Sequence, residues 1–414
     1  MKTVYALDAV TRAPEPIAPE PIAAAEIAAR TARVAAIASA HAEAVDRDGR
    51  FPQEAMDALK AERLLSIMVP AELDGGGASV GQVLDICYAL GRSCASTAMI
   101  FAMHQIKAAC LIRHAAHEPW HAGFLRRVAA QQLLLASSTT EGQGGGDVRS
   151  SAAPVSQGED GRIRLERDAT VMSYGAQADA IVTTARRDDE AAASDQVLVV
   201  LEKAAYTLTP TLAWETLGMR GTCSAGFALK AEGAQAQVLS EPYAVIHAQT
   251  MTPTAHLLWS GVWAGIAASA TDRAQKFLRK AARKAGGQLP PGAPHYTRAT
   301  TALRTLQGLI HEGLAEYEAR AGDPQALTHV DFQTRITLLK VEVSELAVSA
   351  VMSAMRACGL SGYRNDGDAS IGRLLRDVLS APIMINNDRI LANLGASALL
   401  SEVPQSLGGF GLAR

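Results

Sequence analysis

The hydrophobic period of this chain changes twice. Alanine-rich, helix-period sequence runs from Ile22 to about Ala130, short strand-like runs occupy Leu133 to Ala231, and helix period returns near His247 and holds to the end. A 3.6-residue repeat builds one stripe on a helix, whereas a two-residue repeat builds one face of a strand, so neither kind of segment readily takes the other's form. This order predicts a helical layer, a central β domain and a helical bundle: an α+β fold that is mainly α. The expected divisions are an extended arm over 1–21, an N-terminal helical domain over 22–132, a β domain over 133–245 and a C-terminal bundle over 246–414.

Local signals refine that outline. Pro52 starts a helix with Met56, Leu59 and Leu64 on one side, and Val83 to Cys110 holds two further helical runs. Ile163–Leu165, Ala180–Thr184, Gln196–Leu201, Tyr206–Pro210 and Phe227–Ala231 are short and bounded by turn residues, which reads as a small barrel or sandwich. The acidic, alanine-rich stretch 187–195 reads as a solvated loop. Ala-Pro-Glu-Pro-Ile occurs twice over 13–22 and reads as a stiff arm, not a signal core. Leu257 to Ala270 is apolar but only about 14 residues long, too short to span a bilayer. Its small residues Gly261, Gly265 and Ala268 suggest a buried, closely packed helix.

The charge balance argues against some function classes. Thirty-nine Lys and Arg against 42 Asp and Glu leave a net charge of −3, which gives no basis for nucleic-acid binding. The five cysteines contain no C-x-x-C pair, so neither zinc nor a disulfide framework is indicated, and a reducing cytoplasm is expected.

One stretch carries a chemical signal. Thr139-Thr140-Glu141-Gly142-Gln143-Gly144-Gly145-Gly146-Asp147 follows an apolar run, and its glycines let a backbone approach a bulky ligand closely. It resembles the Thr-Glu-Pro-x-Ala-Gly-Ser-Asp flavin loop of acyl-CoA dehydrogenases. Phe51-Pro52, Met68-Val69-Pro70 and Gly75-Gly76-Gly77 resemble that family's opening pattern. Val171–Asp179 is similar to its "W-I-T-N-G-x-x-A-D" segment, and Leu217-Gly218-Met219-Arg220-Gly221-Thr222 to its "L-G-M-R-G-S" turn. Gly359-Leu360-Ser361-Gly362-Tyr363, then Leu375-Arg376-Asp377, resembles "G-G-x-G-Y … R-D". The motifs keep their order over roughly residues 45–395.

The resemblance implies an acyl-CoA dehydrogenase-like fold, FAD as cofactor and a homotetramer or homodimer. Thr140 and Ser173 occupy the positions that contact the isoalloxazine, and Gly145 and Gly146 belong to the flavin loop. Gly146 replaces the family's serine, and Val171 its aromatic residue. Arg283-Lys284-Ala285-Gly286-Gly287 resembles "R-K-x-F-G", which places Arg283 on the flavin pyrophosphate of a neighbouring subunit, with Arg279 as competitor. Cations ahead of a glycine cap also suit any helix C-terminus.

The catalytic base is where the chain departs. The family's glutamate removes an α-proton while hydride passes to flavin N5, and the ungapped counterpart here is Ile385. Asp388 and His256 are the candidate replacements. Against them stand a helix-capping aspartate and a packed helix-face histidine. The first expectation is oxidation of an acyl thioester, carried by coenzyme A or an acyl carrier protein, with an electron-transfer flavoprotein or oxygen as oxidant. A two-component flavin monooxygenase on the same scaffold is the second, and a flavin-free scaffold the third. No metal site is expected at Asp366 and Asp368, which lack a full calcium loop.

Overall fold

The computed structural model describes residues 20–141, 148–158, 160–400 and 403, so nearly all of the expected arm lies outside it. Five helices come first: α1 (Ala24–Asp48), α2 (Gln53–Ala61), α3 (Val80–Ser93), α4 (Ala95–Ala115) and α5 (Pro119–Gln131). α1 buries Ile27, Thr31, Val34, Ala38, Ala42 and Val45, a spacing of three and four that draws one stripe. It stops where Gly49 turns left-handed at φ 59°. α4 is long and apolar enough to cross a membrane by length and composition, but most of its apolar window is enclosed by protein, as in a core helix.

Seven strands follow: β1 (Leu135–Ser138), β2 (Ser156–Gln157), β3 (Ile163–Ala169), β4 (Ala180–Arg186), β5 (Gln196–Glu202), β6 (Tyr206–Leu212) and β7 (Gly226–Gly233). The five longer runs expected from the sequence all appear as strands. They form two sheets, β1-β4-β5 and β2-β3-β7-β6, with β1 parallel to β4 and the other pairs antiparallel. β3 alternates buried and exposed side chains, which places Arg167 among the inward positions. β4 and β5 are buried on nearly every residue, as strands covered on both faces must be.

The chain then returns to helix with α6 (Tyr243–Ile246), a π-helical turn over His247–Met251, and α7 (Thr252–Lys284). The bundle continues through α8 (Ala293–Arg320), α9 (Pro324–Thr328), α10 (Val330–Cys358), α11 (Leu360–Tyr363), α12 (Gly372–Val378), α13 (Ser380–Ile383) and α14 (Asn387–Ala398). α7 is buried without a break from Thr252 to Ala268, and only its second half is amphipathic. α3, α8 and α10 enclose it. α7 ends as expected for its glycine pair: Gly286 is left-handed at φ 61° and Gly287 N–H donates to Ala282 O at 2.9 Å.

Glycines set how closely α3 and α7 approach. A Cβ on Gly265 would stand 2.3 Å from Tyr88 O, and one on Gly91 2.5 Å from Val262 O. Both obstacles are main-chain atoms, which cannot rotate away. Gly265→Ala is therefore expected to force the helices apart and cost about 2–3 kcal/mol by overpacking. Urea unfolding checks this, and an unchanged midpoint would show that the crossing has slack.

Candidate active site

β1 carries Thr140 just beyond its end, and both ends of the strand are tied down. At its start, Leu134 N–H donates to Asp179 Oδ2 at 2.8 Å and Leu135 N–H to His104 Nδ1 at 3.0 Å. Because Nδ1 accepts, the His104 proton sits on Nε2, which donates to Leu65 O at 2.6 Å. Burial holds this imidazole neutral, with its pKa lowered to about 4. Tyr174 Oη donates to Leu135 O at 2.9 Å, linking the Ser173 turn to the same strand. Beyond the strand, buried Glu141 pairs with Arg167 at 2.8 Å and accepts from Ala152 N–H at 2.6 Å. Thr140 itself is half-buried. Gly145 and Gly146 lie outside the described residues.

Ser173 stands at the edge of the β domain, buried. Its hydroxyl meets Ser224 Oγ at 2.8 Å, Ser224 Oγ meets Thr222 Oγ1 at 2.8 Å, and Thr222 Oγ1 donates to Met219 O at 2.8 Å. Val171, two residues before Ser173, leaves its apolar side chain exposed.

The Leu217–Thr222 turn and the Arg376-Asp377 pair, read separately in the sequence, clasp one another. Asp377 Oδ1 accepts from Met219 N–H at 2.7 Å, and Arg376 Nε donates to Leu217 O at 3.1 Å. Gly218 lies so close to α12 that a Cβ there would stand 2.1 Å from Arg376 O. Arg376 also pairs with Asp46 of α1, whose main-chain carbonyl accepts from Arg220 Nε at 2.7 Å. Burial pushes the Asp377 carboxyl up to about 6, although Arg373 and the Met219 N–H oppose the shift.

The turn between α13 and α14 holds no carboxylate where the resemblance places the base. Ile385 and Asn386 are both left-handed, at φ 50° and 56°. For a β-branched residue this conformation is strained and needs support from its surroundings. That support includes Lys340, whose buried ammonium donates to Met384 O at 2.6 Å and Asn387 Oδ1 at 2.6 Å. It also lies over the Trp263 ring, 5.6 Å from the centroid. Burial lowers the Lys340 pKa to about 8.

The two candidate bases stand in opposite surroundings. His256 is a buried histidine of α7 that shares a hydrogen bond with Ile336 O at 2.9 Å through Nδ1. Burial lowers its pKa to about 4, which makes it a weak base at neutral pH. Asp388 is exposed in the first turn of α14. It is not that helix's cap: Asn386 Oδ1 accepts from Asp388 N–H at 3.0 Å and Arg389 N–H at 3.3 Å.

A groove of about 1650 Å³ runs between α1, the Thr216–Arg220 turn, the second half of α7 and residues 361–376. Its α7 wall carries Lys276, Lys280 and Lys284, three residues on one helix face. Arg279 and Arg283 are exposed and do not line it. Arg47, Arg220, Arg273, Arg364, Arg373 and Arg376 also line the groove. The role expected of Arg283 concerns a neighbouring subunit, and its place outside this groove does not bear on it. Asp366 pairs with Arg364 at 2.8 Å, and no cluster suited to a metal ion occurs among the described residues.

Family comparisons bear on this arrangement. The acyl-CoA dehydrogenase N-terminal domain matches residues 24–132, and the acyl-CoA dehydrogenase C-terminal domain matches residues 249–400. The chain belongs to the acyl-CoA dehydrogenase family. Its relatives differ in activity. It is 29% identical to the L-evernosamine nitrososynthase of Micromonospora, over 83% of this chain and 82% of that protein. It is 24% identical to the cyclohex-1-ene-1-carbonyl-CoA dehydrogenase of Geobacter metallireducens, over 86% and 92%. The FMN-bound TdsC structure from Paenibacillus superposes with a TM-score of 0.79 at 18% identity, covering 92% of this chain and 98% of that one.

In this family member, sequence reasoning missed His104, Lys340, Ser224 and the partnership of Asp377 with Met219. Asp377 also gives the clasp a pH dependence. Its folded pKa is raised, so the native protein holds this proton more tightly than the unfolded chain does. The stability contribution is full below the unfolded pKa near 4 and is lost as pH rises through about 6. Asp377→Asn keeps an acceptor for Met219 N–H and removes the ionisation. Urea midpoints between pH 4 and 7 should show a shallower decline in the variant, and parallel profiles would rule out Asp377 as the source.

Proposed function

We propose that this protein is a flavin-dependent monooxygenase built on the acyl-CoA dehydrogenase fold, using reduced flavin and oxygen. The carrying observation is the Met384–Asn387 turn. Ile385 stands at the base position, a buried lysine supports the turn from below, Asp388 faces solvent and His256 is buried and weakly basic. Abstraction of an α-proton needs a positioned carboxylate or an equivalent base. Position 385 carries none, and the carboxylate that meets this turn, Glu345, accepts from Asn387 Nδ2 at 2.9 Å. Oxygenation of a nucleophilic atom makes no such demand.

The residues present fit a flavin. Thr140 and Ser173 bring hydroxyls to the β-domain edge, and exposed Val171 offers an apolar surface beside Ser173. Flavin supplies the redox chemistry; the chain binds it, orients it and shields it from water. Either FMN or FAD satisfies the hydroxyl contacts, because both carry the same ring. The nitrososynthase relative supports an amine nitrogen as the atom oxidised.

Two measurements test the reading. Flavin-loaded protein, titrated anaerobically with a panel of acyl-CoA thioesters, is expected to keep its oxidised spectrum. With a separate flavin reductase and NADH, oxygen uptake should rise on addition of an accepted amine, amino sugars being the first panel. Bleaching by any thioester would overturn the proposal in favour of dehydrogenation.

A further inference from the structure

The hydroxyl row behind Ser173 has a direction. Its inner end is Met219 O, a carbonyl that can only accept and that also receives Trp214 Nε1–H and Thr222 N–H, each at 3.1 Å. Two oxygens 2.8 Å apart need a hydrogen between them. Thr222 therefore spends its hydroxyl hydrogen on Met219 O. The hydrogen between Thr222 and Ser224 must then come from Ser224, and the one between Ser224 and Ser173 from Ser173. Three contacts consume three hydrogens, and Ser173 keeps only lone pairs for whatever it faces.

We propose that Ser224 and Thr222 are positioning residues that hold the Ser173 hydroxyl as an acceptor, so that the site favours reduced over oxidised flavin. This rests on the flavin reading above, with Ser173 at the reactive edge of the isoalloxazine. N5 of that ring is a lone-pair acceptor when oxidised and an N–H donor when reduced. An acceptor-only serine complements the second state and opposes the first. The row is enclosed: Ser173, Ser224 and Thr222 are 9%, 4% and 3% exposed, so bulk water does not readily re-orient it. Its inner carbonyl belongs to the residue whose N–H is held by Asp377.

The test is the ratio of dissociation constants for oxidised and reduced flavin, measured with FMN and FAD by anaerobic ultrafiltration. The native protein is expected to bind the reduced form roughly tenfold more tightly, the worth of one hydrogen bond. Ser224→Ala frees the Ser173 hydrogen to face the ligand, and the ratio should fall toward one. Thr222→Val should act likewise, because Ser224 can then donate back to Ser173, and it serves if Ser224→Ala does not fold. Thr222→Ser keeps the hydroxyl and should keep the ratio. An equal preference in the native protein, or ratios unmoved by Ser224→Ala and Thr222→Val, would overturn the relay and leave the flavin reading standing. Equal weakening of both redox forms would show a merely structural role and also overturn it. A native protein that binds neither form of either flavin would overturn both.

Discussion

Much of this molecule is organised around one backbone N–H. Met219 donates it to Asp377, a carboxylate taken out of water at the joint between the β domain and the C-terminal bundle. A buried carboxylate is tolerated only when charge and donors compensate it, and here Arg373 and the Met219 N–H do so incompletely. Gly218 lets the two backbones approach, and Arg376 and Arg220 carry the same joint to Asp46 of α1. Three regions of the fold thus meet at one turn.

That turn also reaches the site. Met219 faces the bundle through its N–H and the hydroxyl row through its carbonyl, so α12 and Ser173 are separated by one residue and two side chains. A second buried charge holds the turn between α13 and α14. Lys340 spans from α10 to the Met384–Asn387 turn and supports two consecutive left-handed residues. Lys340 beneath this turn is balanced in part by Glu345, which accepts from Asn387 Nδ2 at 2.9 Å, and the apolar Ile385 stands upon it.

The helices and strands were largely legible because their signals are local. Periodicity marked α1, α3, α4 and the five longer strands, and the small residues of α7 announced a tight crossing. The length of α7 was less clear, since its polar second half lacks the apolar run that marked Leu257 to Ala270. The site was legible in part. Thr140 and Ser173 were singled out through contiguous motifs, and the missing glutamate through one position. Arg279 and Arg283 could be picked out as a cationic run, but only the structure shows which face of α7 lines the groove.

Taken alone, the sequence determined the order of the layers, the family and the absence of a carboxylate at residue 385, because each is written in neighbouring residues. The tertiary structure decided what those residues do. Asp377 and Met219 lie 158 positions apart, Lys340 and Asn387 47. Burial made His256 a weak base, and the meeting of Ser173, Ser224 and Thr222 gave one hydroxyl its direction. Hydrogen-bond direction and pKa depend on what surrounds a group in space, and the chain specifies those surroundings only once it has folded.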